Sequence, residues 1–238
     1  MKVFSISDLH LSINNPKPMD IFGPVWENYI ETIVADWKEK VTEKDVVLIS
    51  GDISWAMKLE DAKSDIDFLA PLPGNKIMIR GNHDYWWKSI SGVRGLLPNN
   101  FYALQNDHIT LGNFIFCGTR GWQVPEGNFK TEEDEKIYKR EIIRLELSLQ
   151  SAKDEQLRLQ SQGKNTKIIA LIHYPPFNIK REPSEFTKLF EKYGVSAVSY
   201  GHLHGTKSRT NFLYELNGVK YYLTSCDLVG NKLVEIKI

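Results

Sequence analysis

Short apolar runs alternate with helical patterns through the first half of the chain. The runs at 2–7, 45–50 and 76–80 are rich in β-branched residues, which favour strands. The segments between them, 30–41 and 59–69, place apolar residues at intervals of three and four, as on one face of a helix. This alternation predicts an α/β fold, with parallel strands joined by crossover helices.

The second half of the chain predicts a hairpin, one long helix and further strands. Two apolar runs flank the turn-forming pair Gly112-Asn113, and this pattern indicates a hairpin. A long helix is predicted from Thr131, a favourable N-cap, to Gln162. The remaining predicted elements are a strand at 167–172, a helix at 184–193, and strands at 196–200, 210–216, 219–224 and 232–236.

Composition favours one domain over residues 1–238. The chain is 42% hydrophobic, which at this length is enough for one substantial core. Its 30 basic and 30 acidic residues cancel, so we expect no long-range attraction to nucleic acid or to an anionic membrane. The first apolar run is too short for a signal peptide, and no segment approaches the roughly 20 apolar residues of a membrane span. We therefore expect a cytoplasmic protein with Cys117 and Cys226 buried and reduced.

Metal-binding side chains cluster where five of the predicted strands end. The clusters are Asp8-Leu9-His10, Gly51-Asp52, Gly81-Asn82-His83-Asp84, His173 and Gly201-His202-Leu203-His204. Five of the six histidines lie in these clusters, although random placement would scatter them. In α/β sheets ligands bind beyond the carboxyl ends of the strands, because loops converge there on a rigid base. The sequence therefore predicts a metal site built from several strand ends.

In order from residue 8 to residue 204, these clusters resemble the motifs of the calcineurin-like metallophosphoesterase superfamily. The resemblance implies a four-layer α/β/β/α sandwich, with two central mixed sheets flanked by helices, and a site for two divalent metal ions. It implies that one ion is held by Asp8, His10 and His204, that the other is held by Asn82, His173 and His202, and that Asp52 bridges the two. It also implies that His83, paired with Asp84, contacts the phosphoryl group of the substrate.

The residue types support this chemistry independently. Aspartate, asparagine and histidine ligands without thiolate suit Mn²⁺, Fe or Zn²⁺. Two such ions can lower the pKa of a bound water to about 7, and the resulting hydroxide would attack phosphorus in line. We expect His83 to protonate the leaving oxygen, and Asp84 to orient its imidazole or raise its pKa. Asp84 is also a favourable N-cap for a helix beginning near Tyr85, and the two roles are compatible.

Three tryptophans and one arginine follow the motifs closely enough to border the site. Trp55, Trp86 and Trp87 can each stack on a nucleobase, although burial between helices and sheet is the more frequent role of such rings. Arg120 can grip a phosphate with its two-pronged guanidinium, or it can lie on the surface. These residues are therefore candidates for substrate recognition.

The predicted activity is hydrolysis of a small phosphodiester or a nucleotide. Gly51-Asp52 does not continue into the Asp-Arg-Gly triplet of protein serine/threonine phosphatases, so we do not expect a phosphoprotein substrate. A nuclease or a phosphomonoesterase of the same superfamily is an alternative, but the neutral net charge is unfavourable for binding many backbone phosphates. A non-catalytic metal-binding scaffold is a further alternative, although such proteins usually lose ligands and none is missing here.

Substrate choice lies in the loops, of which 124–130 and 175–182 are expected to form the rim of the pocket.

Overall fold

Strands and α-helices alternate along the first half of the chain, and a long helix separates the two halves. The protein is described by a computed structural model that covers residues 1–205 and 212–238. In chain order the elements are β1 (Val3–Ile6), α1 (Tyr29–Lys40), β2 (Val46–Ile49), α2 (Leu59–Leu69), β3 (Asn75–Met78), α3 (Ile90–Leu96), β4 (Phe101–Ala103), β5 (His108–Leu111), β6 (Phe114–Thr119), α4 (Glu132–Ser161), β7 (Lys167–Ile172), α5 (Glu185–Lys192), β8 (Val195–Tyr200), β9 (Leu213–Leu216), β10 (Val219–Leu223) and β11 (Val234–Glu235).

The strands form two mixed sheets. In the first sheet the order is β11-β1-β2-β3-β4, where β1 to β4 are parallel and β11 runs antiparallel to β1. In the second sheet the order is β5-β6-β7-β8-β10-β9, where the four central strands are parallel and the two edge strands are antiparallel. Parallel neighbours end at the same edge of a sheet, so the loops that follow β1, β2 and β3 meet, as do those that follow β7 and β8.

Three apolar cores separate four layers. One core lies between the first sheet and its helices and contains Trp37 and Trp86. A second lies between the second sheet and helices α4 and α5 and contains Leu145 and Phe190. The third contains residues of both sheets, including Leu48 and Leu171, and therefore lies between them. The predicted four-layer sandwich is confirmed.

The central strands are apolar along their whole length because both of their faces are covered. In β2, Val46 and Leu48 face the other sheet, whereas Val47 and Ile49 face the helices. This arrangement accounts for the continuous apolar runs in the sequence.

A layer of hydroxyl groups crosses the space between the sheets and leads to the site. The Ser199 hydroxyl lies 2.6 Å from that of Ser5 and 2.7 Å from that of Ser50. Further along, the Thr224 hydroxyl donates to Ser7 Oγ at 3.2 Å, and the Ser7 hydroxyl donates to Asp8 Oδ2 at 2.6 Å. These buried hydroxyls form hydrogen bonds with one another, and these bonds hold the two sheets in register beneath Asp8.

Most predicted elements are confirmed with small shifts at their ends. The helix expected to begin near Tyr85 begins at Ile90, as α3. Strand β4 was not predicted, and neither were the short 3₁₀ helices Asp20–Phe22 and Pro24–Trp26. The predicted strand at 210–216 is described as β9 from Leu213, and its first two residues lie outside the described residues. No helix within the described ranges is long and apolar enough to cross a membrane.

Candidate metal centre

The seven predicted metal ligands lie at neighbouring strand ends of the two sheets. Asp8 and His10 follow β1, Asp52 follows β2, Asn82 follows β3, His173 follows β7, and His202 and His204 follow β8. Four of them, Asp8, His10, Asp52 and His173, are buried. The carboxyl ends of strands from both sheets thus converge on one place.

Four of these ligands have a left-handed backbone conformation that residues other than glycine rarely adopt. Their φ angles are 60° at Asp8, 47° at His10, 53° at Asp52 and 70° at His202. Such conformations cost energy and persist where the surrounding structure enforces them, most often at functional sites. The strand-end turns therefore direct these side chains towards the site at the expense of local stability.

The first predicted ligand set is assembled. One ligand atom from each of Asp8, His10 and His204 lies within 4.8 Å of the other two. His204 Nε2 is 3.4 Å from Asp8 Oδ1. This spacing is suited to a metal ion placed among the three groups.

The second predicted ligand set is also assembled, around the side-chain oxygen of Asn82. This Oδ1 atom lies 2.7 Å from His173 Nε2 and 2.8 Å from His202 Nδ1. Three potential ligand atoms therefore face a common point.

Asp52 lies between the two sets. Its Oδ1 accepts a hydrogen bond from the His83 backbone N–H at 2.8 Å. Its Oδ2 is 3.5 Å from His173 Nε2 and 3.9 Å from His10 Nε2, and this buried oxygen has no hydrogen-bond partner among the described residues. A buried, unpaired carboxylate oxygen is costly unless a cation binds it, so its position fits a bridging ligand.

The protonation states of the imidazoles also fit a metal site. Burial lowers the pKa of His10 to about 3, that of His173 to about 4 and that of His202 to about 3. Burial also acts to lower the pKa of His204, but hydrogen bonds to Asp227 and Asp8 raise it to about 10. Three of the four imidazoles are therefore neutral and ready to bind a cation, and the proton on His204 is one that a metal would displace.

Burial and mutual repulsion disfavour the charged form of the carboxyl group between the two sets. Burial, followed by repulsion from Asp84 and Asp8, raises the pKa of Asp52 to about 9. Such mutual repulsion among buried carboxylates is relieved by a divalent cation. The residues present therefore fit two divalent metal ions.

Hydrogen bonds from outside the ligand sets orient two of the histidines. His204 Nδ1 lies 3.0 Å from Asp227 Oδ1, and His173 Nδ1 lies 2.9 Å from the carbonyl oxygen of Ser50. Partners of this kind fix the ring and the nitrogen that faces the metal. Asp227 was not among the predicted site residues, although it follows β10 at the same edge of the second sheet, and that position was the available signal.

Two of the motif glycines are required by close packing. A Cβ atom on Gly81 would collide with the side chain and the backbone nitrogen of Asp52, and one on Gly201 would collide with Ser7 and Asp8. The absence of a side chain at these positions lets the strand-end loops approach the ligands.

The structure corrects both roles expected of Asp84. The nearest helix, α3, begins at Ile90 with Ser89 as its N-cap, so Asp84 caps no helix. Its carboxylate points away from His83, towards backbone N–H groups. Its donors are Gly81 N (2.7 Å), Asp52 N (2.9 Å), Ile53 N (2.9 Å), Ser54 N (3.2 Å) and Trp86 Nε1 (3.0 Å). Asp84 therefore joins the loop after β2 to the loop after β3.

His83 is half-buried beside the two ligand sets. Its Nδ1 is buried and has no hydrogen-bond partner in the part of the chain that the structure describes. Burial lowers the pKa of His83, whereas a neighbouring Asp84 was expected to orient the ring or raise this pKa. The contact of His83 with a phosphoryl group stays a prediction.

Asp84→Asn is expected to lower the free energy of unfolding by roughly 2 to 6 kcal/mol, at about 1–3 kcal/mol for each buried N–H that loses its acceptor. Whichever way the amide is turned, its NH₂ group meets at least two of these N–H donors, because each carboxylate oxygen accepts at least two. Urea denaturation of the Mn²⁺-supplemented protein measures the change.

The control is Asp45→Asn, another buried carboxylate, which accepts hydrogen bonds from Lys2 and Thr42 far from the ligands. It should lower stability without changing the activity of the folded protein, whereas Asp84→Asn should lower both. Equal stability of Asp84→Asn and wild type would contradict the loop-joining role.

The tryptophans and Arg120 differ in their relation to the site. Trp86 and Trp87 are fully buried, so they do not border it. The Trp55 ring stacks on His10 with 4.6 Å between centroids and lies 4.7 Å from the ring of His83. Arg120 lies 3.7 Å from the buried carboxylate of Glu141, and its contact with a phosphate stays a prediction.

Comparison with known proteins identifies related sequences and folds. The family model for calcineurin-like phosphoesterases matches residues 1–206. An uncharacterized protein of Methanocaldococcus jannaschii, MJ1445, is 28% identical over 117 residues, which cover 44% of this chain and 64% of that protein. The chain therefore spans slightly less than two thirds of the length of this relative.

Two solved structures share the fold over nearly the whole chain. TT1561 of Thermus thermophilus aligns with a TM-score of 0.56 and 13% identity, covering 99% of this chain and 97% of its own. AQ665 of Aquifex aeolicus, a protein of unknown function, aligns with a TM-score of 0.51 and 12% identity, covering 98% and 95%. At this level of identity the comparison supports the fold alone.

Proposed function

The chain belongs to the calcineurin-like phosphoesterase family, whose members are generally metal-dependent phosphoester hydrolases, and we propose that it is a phosphodiesterase that uses two divalent metal ions. The observation that carries this proposal is the position of Asp52 Oδ2. This buried oxygen has no hydrogen-bond partner among the described residues and lies within 4 Å of a histidine from each ligand set.

The proposed ligands divide between the two ions as the motifs suggest. One ion would be held by Asp8, His10 and His204, the other by Asn82, His173 and His202, and Asp52 would be shared between them. The oxygen and imidazole ligands, with no thiolate, favour Mn²⁺, Fe or Zn²⁺. When bound, two such ions supply an activated water and neutralise charge on the phosphoryl oxygens.

The residues around the ligands position the substrate and move a proton. The His83 backbone N–H donates to Asp52 Oδ1, and this bond fixes the position of His83 relative to the proposed bridging carboxylate. The imidazole of His83 lies with its centroid 5.5 Å from that of His10. Burial lowers its pKa, but the negative charge of a bound phosphodiester would favour the imidazolium form, which can donate a proton to the leaving oxygen. Asp84 is a positioning residue that acts through the backbone of Asp52.

A diester is favoured over a dianionic monoester by the charge of the adjoining cavity. This substrate cavity has a volume of about 760 Å³, and its lining includes His10, His83 and His204 but no lysine or arginine among the described residues. A diester carries one negative charge and a monoester carries two, so a diester needs fewer protein cations in addition to the metal ions. We therefore propose a small phosphodiester as the substrate.

Metal removal tests the proposal directly. After treatment with a chelator, the purified protein should not hydrolyse bis(p-nitrophenyl) phosphate, and added Mn²⁺ should restore turnover with two ions bound per chain. The diester should be hydrolysed faster than p-nitrophenyl phosphate. A protein that binds two ions yet hydrolyses neither monoesters nor diesters would contradict the proposed function.

A further inference from the structure

The substrate cavity continues from the metal ligands into a mostly apolar space. Its inner wall is formed by the imidazoles of His10, His83 and His204. Its other walls include Met19, Phe22, Pro24, Val25, Trp26 and Leu228. The volume of about 760 Å³ lies within the roughly 300–1,000 Å³ that is usual for small-molecule sites. A phosphoryl group at the ligands would therefore have an apolar region directly beside it.

Two polar side chains in the other walls, those of Asp227 and Trp55, already have partners. Asp227 binds the His204 ring through Oδ1 and the Gly205 backbone N–H through Oδ2. The indole N–H of Trp55 points to the sulfur of Met19 at 3.3 Å. Apart from the imidazoles and the indole of Trp26, the described part of the lining therefore offers few side-chain hydrogen bonds to a nucleobase or a sugar, whose polar edges would lose their water on binding.

The Trp55 ring is not well placed for stacking on a base either. It stacks on His10, and the Lys17 ammonium lies 4.7 Å from the same ring. The other indole in the cavity lining, that of Trp26, packs edge-on against Tyr29 with 5.1 Å between centroids. The two indoles near the ligands are therefore engaged by protein groups.

The outer rim of the cavity is apolar and exposed to solvent. Phe22 lines the cavity and is 66% exposed, and its neighbour Ile21 is 72% exposed. Both belong to the short 3₁₀ helix Asp20–Phe22, which precedes the cavity residues Pro24 and Trp26. Exposed apolar side chains beside an apolar cavity indicate that an apolar ligand covers them.

We propose that the substrate is an amphiphilic phosphodiester whose hydrocarbon chain lies in this cavity and passes between its walls to Phe22. The assignment rests on the proposed function, because the metal ligands determine where the phosphoryl group lies. It names the substrate class that the site selects: phosphodiesters with an alkyl or acyl substituent.

Binding of alkylphosphonates to the Mn²⁺-supplemented protein tests this assignment, because each compound has one phosphonate group and one alkyl chain. By calorimetry, affinity should increase from methyl- through butyl- to octylphosphonate, by up to about fourfold for each methylene group that is fully buried. Phe22→Ser should weaken binding of octylphosphonate several-fold and leave methylphosphonate unchanged, whereas Phe22→Leu should retain most of the increase.

The matched control is Ile179→Ser, which removes an apolar side chain that is 91% exposed and lies outside the cavity lining. This variant should bind the whole series as the wild type does. Equal affinities for methyl- and octylphosphonate, or tighter binding of AMP than of octylphosphonate, would overturn the assignment. Absence of bis(p-nitrophenyl) phosphate hydrolysis would instead overturn the proposed function, so the two failures are distinguishable.

Discussion

Replacing Asp52 with asparagine is expected to lower diester hydrolysis on the order of a thousandfold, the rate equivalent of several kcal/mol of lost charge stabilisation. The amide oxygen of the new side chain can still accept the hydrogen bond from the His83 N–H, which leaves the NH₂ group where Oδ2 lies between the two ligand sets. An NH₂ group presents hydrogens, not lone pairs, to a cation. Both ions therefore lose a ligand and a negative charge in one substitution.

The same substitution should leave the metal-free protein at least as stable as the wild type. Oδ2 of Asp52 is buried and has no hydrogen-bond partner among the described residues, and the carboxylates of Asp84 and Asp8 repel it. Burial and this repulsion raise the pKa of Asp52 to about 9, so folding of the metal-free protein at neutral pH requires this carboxyl group to take up a proton, a cost that asparagine does not have. Urea denaturation in the presence of a chelator measures the stability, and hydrolysis of bis(p-nitrophenyl) phosphate with Mn²⁺ measures the rate.

Asp36→Asn is the matched control, because it should have the opposite effects: lower stability and unchanged activity. Asp36 is also buried, but it accepts a hydrogen bond from the Leu233 N–H at 2.8 Å and pairs with Lys40 at 2.9 Å, away from the ligands. This variant should be less stable than wild type and fully active. An Asp52→Asn protein that keeps the wild-type rate would show that Asp52 does not bridge the metals.

The predictable parts of the fold are the elements whose burial requires a regular pattern of apolar residues in the sequence. Strands β2 and β7 are covered on both faces and read as continuous apolar runs. Helix α3 has a weaker hydrophobic pattern, because Gly92 and Gly95 interrupt its apolar face and few residues remain to show a helical period. Strand β4 has three residues, too few to establish a pattern.

The pairing of the two sheets was not predictable from the local sequence. The hydroxyls of Ser5, Ser50 and Ser199 meet across the space between the sheets, but a serine in a strand is equally consistent with exposure. Ser5 and Ser199 are 194 positions apart, and the hydrophobic periodicity of a single strand contains no information about a contact over that separation.

The convergence of the candidate metal ligands was predictable because each follows a recognisable strand and the motifs occur in order. Their partners were not predictable in the same way. Asp227 contacts His204 from a loop with no motif of its own, and Trp26 approaches His10 from a short 3₁₀ helix. For Asp84, adjacency to His83 suggested a pair, but the carboxylate finds stronger partners in the backbone N–H groups of the neighbouring loop. Sequence adjacency therefore indicated the location of this residue and not its role.

His83→Ala is expected to lower the hydrolysis of a dialkyl phosphate by about 10² to 10⁴, the usual contribution of a general acid. An alkoxide leaving group is strongly basic and needs a proton as the bond to phosphorus breaks, whereas p-nitrophenolate leaves with little help. Turnover of bis(p-nitrophenyl) phosphate should therefore decrease much less than that of the dialkyl ester. The measurement is kcat/KM for both substrates, together with the Mn²⁺ content of the variant.

The comparison with His83→Gln separates proton transfer from hydrogen bonding. Glutamine retains an N–H donor but cannot transfer its proton at neutral pH, so this variant should resemble His83→Ala on the dialkyl ester. His83 makes its contact with Asp52 through the backbone N–H, which both substitutions leave in place, and metal content should be unchanged. A loss of equal size on the two substrates, or recovery of the dialkyl activity in His83→Gln, would show that His83 positions the substrate without protonating the leaving oxygen.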